Sequence, residues 1–277
     1  MNPEIQKLFE SPIESQKVLA CHDNYQVQLI RVDQCQYVVK EGKELSENLH
    51  SEAQGLKDLS KFFSGIPNII KESSSYLVTE FIETEAPKLQ FWKNLAYQLT
   101  QLHLSQFDDF GYHNNNFIGA SEQRNQLSNN WAEFFWNERI LFKLKQLQDA
   151  GQYKLGSTEL AKLKNSYFQI LRNHKVRPAL VHGDLWRGNV LCGPGQKPYL
   201  IDPACYWGDP EVDLAMTECF GGFDQAFYRF YDEYQSIQPG YEERKHIYNL
   251  YHLLNHFVIF GTSYQSSVEN VIERLIY

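Results

Sequence analysis

Glycine, basic charge and long apolar runs are scarce in this 277-residue chain. No stretch approaches the roughly 20 apolar residues that a membrane-crossing helix needs, so no membrane partner is expected. The opening Met1-Asn2-Pro3-Glu4 lacks the basic and apolar regions of a secretory leader, which makes a cytoplasmic location the expectation. Lys and Arg number 26 against 34 Asp and Glu, a formal net charge of −8. An acidic chain without a basic block is a poor partner for a phosphate backbone. Nucleic acid is therefore not expected, whereas small phosphates can still be held by a few placed donors. The five cysteines (Cys21, Cys35, Cys192, Cys205 and Cys219) contain no Cys-x-x-Cys pair, which argues against zinc or a redox dithiol. Free thiols in a reducing compartment are the simplest expectation. Of the 16 glycines, none falls within 11–41. What is plentiful is apolar mass: 43% hydrophobic residues, with 18 Phe, 17 Tyr and 5 Trp, enough for one large core or two ordinary ones and too much for disorder.

The chain changes style along its length. Tyr25, Val27 and Leu29 alternate with Gln26 and Gln28, the period of a half-buried strand over 25–32. After a turn at Asp33-Gln34 a second strand is expected over 35–40. Leu49, Ala53, Leu56 and Leu59 recur at helical spacing and predict a helix over 47–61. Strands are predicted again over 68–71 and 76–82. Beyond the connector Glu83-Thr84-Glu85-Ala86-Pro87 the pattern is helical. One face carries Leu95, Leu99 and Leu102; a second carries Trp131, Phe134, Leu141 and Leu144; a third carries Leu160, Leu163, Tyr167, Ile170 and Leu171. Further helices are predicted over 223–234, 241–260 and 268–275. The expected fold class is α+β with two lobes: residues 1–82 form a small sheet with one helix, and residues 83–277 are mainly helical. Ligands favour the cleft between such lobes.

Two places carry candidate chemistry. Glu52 falls on the apolar face of its helix, beside Leu56 and Leu59, where a carboxylate is costly unless paired. Lys40, ending the preceding strand, is the nearest cation; a rim Glu and a snorkelling Lys are the alternative. The richer segment runs from a short apolar strand at Ala179-Leu180-Val181 into His182-Gly183-Asp184-Leu185-Trp186-Arg187-Gly188-Asn189, then through a Gly193-Pro194-Gly195 turn to Ile201-Asp202. That turn between apolar runs predicts a hairpin in which Asn189 faces Asp202. An amide oxygen and a carboxylate at one point suit a Mg²⁺ ion bound to substrate phosphates. Asp184 stands just before, placed to address a hydroxyl. His-x-Asp-Leu-x-x-x-Asn has the spacing of the protein-kinase catalytic loop, where the Asp is the base and the Asn a metal ligand. A lone Asp or Asn in a loop would be only a turn former. Its occurrence together with a downstream Asp and an upstream Lys and Glu points to phosphoryl transfer.

These blocks, with Asp202-Pro203-Ala204-Cys205-Tyr206-Trp207-Gly208-Asp209-Pro210-Glu211-Val212-Asp213, resemble the fructosamine kinase (ketosamine-3-kinase) family within the wider aminoglycoside phosphotransferase and choline kinase group. Phe110-Gly111, Asn116-Phe117-Ile118-Gly119, Trp131-Ala132-Glu133-Phe134-Phe135, Glu138-Arg139 and Leu250-Tyr251-His252-Leu253-Leu254-Asn255 fit as well, so the resemblance spans most of 35–260. It implies a protein-kinase-like fold and an enzyme that uses ATP and Mg²⁺ to phosphorylate the 3-hydroxyl of a ketosamine, a sugar adduct of an amine. The 3-phosphate is unstable, so the amine is released and a glycated protein is restored. By the resemblance, Asp184 is the proton acceptor and Asn189 and Asp202 hold Mg²⁺. Lys40 paired with Glu52 contacts the ATP phosphates, and Thr79, Glu80 and Phe81 form the hinge that reads adenine.

Several residues keep two readings. Trp186 and Trp207 flank the site and either wall the substrate or pack. Asp209 and Glu211 are candidate substrate ligands, but Asp209-Pro210-Glu211 also has the form of a helix cap with Pro at N1 and an acid at N2. Asp213 either supports the catalytic loop or complements a helix dipole. His252 and His256 read as core or interface histidines rather than a metal pair, since no third ligand accompanies them. Arg187 stands where the family usually has a small residue, and either contacts phosphate or an acidic substrate group or points to solvent. Counting back from Lys40 places the family's glycine pair at Cys21-His22, where this chain has Cys21-His22-Asp23-Asn24. Without glycine the backbone approaches phosphates less freely, and Asp23 adds a repelling charge. The alternatives are therefore a related aminoglycoside- or choline-kinase-like enzyme, and an ATP-binding pseudokinase with a degenerate phosphate loop.

Overall fold

The computed structural model describes residues 3–21, 25–42 and 47–277. After a short helix α1 (Pro3–Gln6), strands β1 (Ser15–Cys21), β2 (Tyr25–Val32) and β3 (Cys35–Gly42) lead to helix α2 (Glu47–Leu59), and then to strands β4 (Ile69–Glu72) and β5 (Tyr76–Glu80). The five strands form one antiparallel sheet in the order β1-β2-β3-β5-β4. Strand alternation decides its two faces. Ile30, Val32, Val39 and Val78 turn one way and are covered by Ile5 of α1. Leu77 turns the other way and packs on Leu49, Ala53 and Leu56 of α2. Lys40 is directly opposite Leu77, so it faces α2. Strand β1 has no counterpart in the hydropathy pattern because it is an exposed edge: Val18 and Leu19 are nearly half accessible.

Residues 81–88 carry no regular structure and lead into α3 (Leu89–His103), whose Leu95, Leu99 and Leu102 are fully buried. A hairpin of β6 (Asn116–Ile118) and β7 (Ser121–Gln123) precedes α4 (Trp131–Phe135), α5 (Phe142–Asp149) and α6 (Ser157–Leu171). Strands β8 (Ala179–Val181), β9 (Val190–Gly193), β10 (Lys197–Leu200) and β11 (Tyr206–Gly208) frame the segment 182–189. Helices α7 (Glu211–Cys219), α8 (Gln225–Tyr234), α9 (Tyr241–Phe260) and α10 (Gln265–Ile276) complete the chain. One large hydrophobic core joins α3 to α10. No helix among the described residues is long and apolar enough to cross a membrane.

Two expectations need correction. The single helix expected through Trp131 and Leu144 is interrupted by a π-turn at Trp136–Leu141. The extra residue in that turn shifts the helical phase, leaving Leu141 half-buried and bringing Arg139 fully inside. Its guanidinium lies 4.1 Å from the Tyr206 ring centroid and donates to Asn125 Oδ1 at 2.8 Å. The hairpin register also differs by one residue. Val190 pairs with Leu200, and the Ile201 N–H continues the ladder onto the Asn189 carbonyl at 3.1 Å. Asn189 therefore faces Ile201, and Asp202 stands one residue beyond in a left-handed conformation, φ 56°.

The sheet and the helical part are joined at named contacts. The Cys205 thiol lies 3.7 Å from the Gly55 carbonyl in α2, and the Tyr112 hydroxyl donates to Asp58. The Leu200 N–H donates to the Gly65 carbonyl at 2.9 Å.

Candidate active site

The loop after β8 is held from behind. Asp213, in the first turn of α7, is fully buried and accepts from the main-chain N–H groups of His182 (2.7 Å) and Gly183 (2.9 Å). Its carboxylate is also 3.3 Å from His103 Nε2, and His103 Nδ1 meets the Tyr231 hydroxyl at 2.7 Å. Burial alone would raise the Asp213 pKa, but His103, His182 and the amide hold it below the ordinary range. Support of the loop is thus the role the geometry shows for Asp213. Gly183 is required by backbone shape: its φ is 80°, and a Cβ there would lie 2.1 Å from the Ala204 carbonyl oxygen. His182 is buried, which lowers its pKa. Its Nε2 donates to the Ile201 carbonyl at 2.9 Å, and its Nδ1 accepts from the Asp184 N–H at 3.3 Å. That neutral ring ties the Asp184 loop to the strand end carrying Asp202.

Asp184 is half-buried, and its carboxyl is pushed up to about 7 by burial and by Asp202, with Asn189 opposing. Asn189 Nδ2 donates to the Asp184 carbonyl oxygen at 2.8 Å and to its carboxylate at 3.2 Å. This turns the NH₂ inward and leaves the amide oxygen without a partner among the described residues. Asp202 keeps 40% of its side chain accessible. From the other lobe, Lys40 Nζ lies 2.7 Å from Glu52 and 2.5 Å from Asp202. Burial would lower the Lys40 pKa, but the two carboxylates outweigh it and keep the ammonium charged. Burial pushes Glu52 upward, and Lys40 opposes that. One cation therefore joins carboxylates of both lobes. The free amide oxygen and exposed carboxylate form the hard-oxygen donor set that Mg²⁺ accepts.

The residues expected to form the hinge are tied into main-chain hydrogen bonds. Thr79 lies inside β5, opposite Val38. The Glu80 N–H donates to Asn68 O at 3.0 Å, its carboxylate takes the Asn68 main-chain and side-chain N–H groups, and the Phe81 N–H donates to Gln36 O at 3.2 Å. Those two amides are already engaged. Among the described residues, the first partnerless amide after β5 belongs to Ile82.

Other candidates separate cleanly. Trp186 is 41% exposed beside Asp184, with its ring covering Gly188. Trp207 instead stacks on Phe107, centroids 4.8 Å apart, with Phe62 against its edge. Trp207 is half-buried in this aromatic stack. Asp209 and Glu211 are also corrected: they are almost fully buried, and protein groups take their oxygens. Asp209 accepts from the Tyr248 hydroxyl at 2.6 Å, lies 2.5 Å from His174 and caps the Glu211 N–H at 3.0 Å. Arg244 grips Glu211 at 2.6 and 2.7 Å. The clustered His174, Asp209 and Glu211 are thus a hydrogen-bonded brace. Arg187 does not point to solvent; it donates to Val190 O at 2.7 Å and lies over the Trp92 ring. His252 is buried, and the half-buried His256 ring lies tilted against Phe220, centroids 4.6 Å apart. His22, Asp23 and Asn24 lie outside the described residues; Cys21 ends β1 and is exposed. Sequence reading missed His103, Tyr231, Asp58 and Tyr112, whose partners are distant in the chain and leave no local signature.

A loop with the kinase catalytic-loop spacing, a lysine–glutamate pair and a strand-end aspartate now stand in one cleft. A family model described as fructosamine kinase matches residues 4–277. The chain belongs to the fructosamine kinase family. A probable ketoamine kinase of Synechocystis sp. is 40% identical over 204 residues, 73% of this chain and 68% of that protein. The chloroplastic protein-ribulosamine 3-kinase of Arabidopsis thaliana is 35% identical over 205 residues, 72% of this chain and 61% of that protein. The crystal structure of a candidate fructosamine-3-kinase from Haemophilus somnus superposes with a TM-score of 0.88 at 27% identity, over 99% of this chain and 95% of that one. An aminoglycoside phosphotransferase solved with streptomycin and ATP shares the fold, with a TM-score of 0.66 at 17% identity over 100% and 98% of the two chains. This member of the fructosamine kinase family has the two-lobed protein-kinase-like fold and is a phosphotransferase with a hydroxyl acceptor.

Proposed function

We propose that the protein transfers the γ-phosphoryl group of ATP to the 3-hydroxyl of a ketosamine, a ribulosamine or fructosamine adduct of an amine. The observation that carries this reading is the convergence of Lys40, Glu52, Asp202, Asn189 and Asp184 on one cleft. The substrate oxygen attacks the γ-phosphorus as the bond to the ADP oxygen breaks, and Asp184 accepts the hydroxyl proton. Asn189 keeps the Asp184 carboxylate oriented, and Lys40 neutralises phosphate charge from the small lobe. Mg²⁺, held by the Asn189 amide oxygen and Asp202, would supply the remaining charge neutralisation. Trp186 stands where it can wall the sugar. The Ile82 N–H is the hinge donor open to adenine. The 3-phosphate then decomposes and frees the amine.

The glycine-free segment favours one rival, an ATP-binding module without turnover. The test is to incubate the protein with ATP, Mg²⁺ and ribulosyl- or fructosyl-lysine, following ADP and sugar phosphate by mass. Turnover by wild type is expected, with Asp184→Asn slower by about 10²–10⁴-fold and ATP affinity nearly unchanged. ATP binding without turnover on any amine–sugar adduct would support the rival. A fully active Asp184→Asn would remove the base assignment.

A further inference from the structure

Tyr25 opens β2 directly after the stretch where a glycine-rich loop would stand. It lies opposite Gly42 on β3, and Val27 lies opposite Lys40. Side chains two apart share a sheet face, so Tyr25 and Lys40 point to the same side, the side of α2 and Glu52. The Lys40 Nζ is 5.7 Å from the Tyr25 ring centroid. The residue is half-buried, and its hydroxyl feels the charges of Lys40, Asp202, Glu52 and Asp184. Burial raises the phenol pKa and the three carboxylates add to this against Lys40, so at neutral pH the group is an O–H donor. A neutral donor thus sits among the charged groups assigned to phosphoryl transfer.

We propose that Tyr25 is a phosphate-binding residue, its phenol donating to a terminal phosphate oxygen of the nucleotide beside Lys40, in place of the main-chain amides that a glycine-rich loop presents. The inference rests on the ATP reading above. With no glycine within 11–41, the segment lacks the residue type whose missing Cβ allows the closest backbone approach to a phosphate. A tyrosine on the adjoining strand needs no such close approach, because its donor lies at the far end of a long, stiff side chain. An O–H donated to a phosphate oxygen is charge-assisted, among the stronger hydrogen bonds.

Phe at this position keeps the ring and removes only the donor. Calorimetric titration of the full-length protein with Mg·ATP and with AMP, which lacks the terminal phosphates, separates phosphate contact from packing. Tyr25→Phe is expected to weaken Mg·ATP about tenfold and leave AMP affinity and the thermal midpoint unchanged. In steady-state kinetics the KM for ATP rises and that for the acceptor does not. Equal Mg·ATP affinity in variant and wild type overturns the proposal, as does an equal loss for AMP and Mg·ATP, which would mark a packing role. Failure of the wild type itself to bind Mg·ATP would instead remove the ATP reading, so the two failures are told apart in the wild-type titration.

Discussion

Asp213 sits at the back of the catalytic loop and holds two consecutive main-chain amides with one carboxylate. Replacing it by Asn swaps an oxygen acceptor for an NH₂ that faces an N–H. Asp213→Asn is expected to lower kcat at least tenfold while leaving the KM for ATP nearly unchanged, and to cost about 2 kcal/mol or more in denaturant unfolding. Equal kcat in variant and wild type would show that the loop holds its shape without this carboxylate. Lys143 makes a second residue-level prediction. It is fully buried, donating to Ser121 Oγ at 2.6 Å and the Glu122 carbonyl at 2.7 Å. Burial, and then Arg139, push its pKa down to about 7, with Glu122 opposing. Between about 7 and the ordinary lysine value the unfolded chain binds a proton that the folded chain does not, so this group's contribution to stability grows as pH rises through that window. Below about 7 both states are charged and the full cost of burying the ammonium is felt. The stability of Lys143→Met relative to wild type should therefore be more favourable at pH 6 than at pH 9, read from thermal midpoints; a pH-independent difference would exclude Lys143 as the titrating group.

At the scale of elements, α2 is the part whose placement most affects the site, since it carries Glu52. It is tied to the helical lobe by the Asp58–Tyr112 hydrogen bond and by the close packing of Gly55 on Pro203 and Cys205. Burial would raise Asp58, but Lys61, Tyr112 and Gln54 hold its carboxyl low, so the bond joins a phenol to a charged acceptor. Tyr112→Phe is expected to cost about 1.5–3 kcal/mol and to raise the KM for ATP several-fold, because Lys40 follows α2 through Glu52. An unchanged KM would mean that packing at Gly55 alone sets the helix. Two helices were legible to within a few residues: α9 spans the same residues as its apolar periodicity, and α2 ends at Leu59, two residues before the expected end. Strand β1 was not legible because an edge strand with both faces exposed has no alternation. The π-turn was not legible either, since one inserted residue changes the phase without changing the composition.

For the molecule as a whole, the relevant contacts are those that cross between lobes. Lys40 reaches Asp202 across the cleft, so a nucleotide held by both lobes should stabilise the whole fold. Saturating Mg·ATP is expected to raise the thermal midpoint by several degrees, corresponding to about 2.7 kcal/mol at a hundredfold excess over Kd. Asp202→Ala should abolish most of that shift while remaining folded; a full shift in the variant would place the nucleotide away from this carboxylate. The net charge of −8 does not conflict with phosphate binding. At the cleft Lys40 stands among the carboxylates of Glu52, Asp202 and Asp184, and Mg²⁺ held there would offset their charge against the phosphates.

The catalytic-loop spacing, the contrast between the strand-rich and helical parts and the absence of glycine before Lys40 are properties of local sequence. Spacing and periodicity act over a few residues and can be read without the fold. The tertiary structure alone decided which carboxylates face the cleft. Asp184 and Asp202 face it, whereas Asp209, Glu211 and Asp213 are drawn into buried hydrogen-bond networks by His174, Arg244 and the loop amides. It also placed Asp202 one residue beyond the position opposite Asn189, turned Trp207 onto Phe107 and brought Tyr25 beside Lys40. The physical reason is common to all of these. A polar side chain's role is set by the partners that satisfy it, and those partners lie tens to hundreds of residues away in the chain.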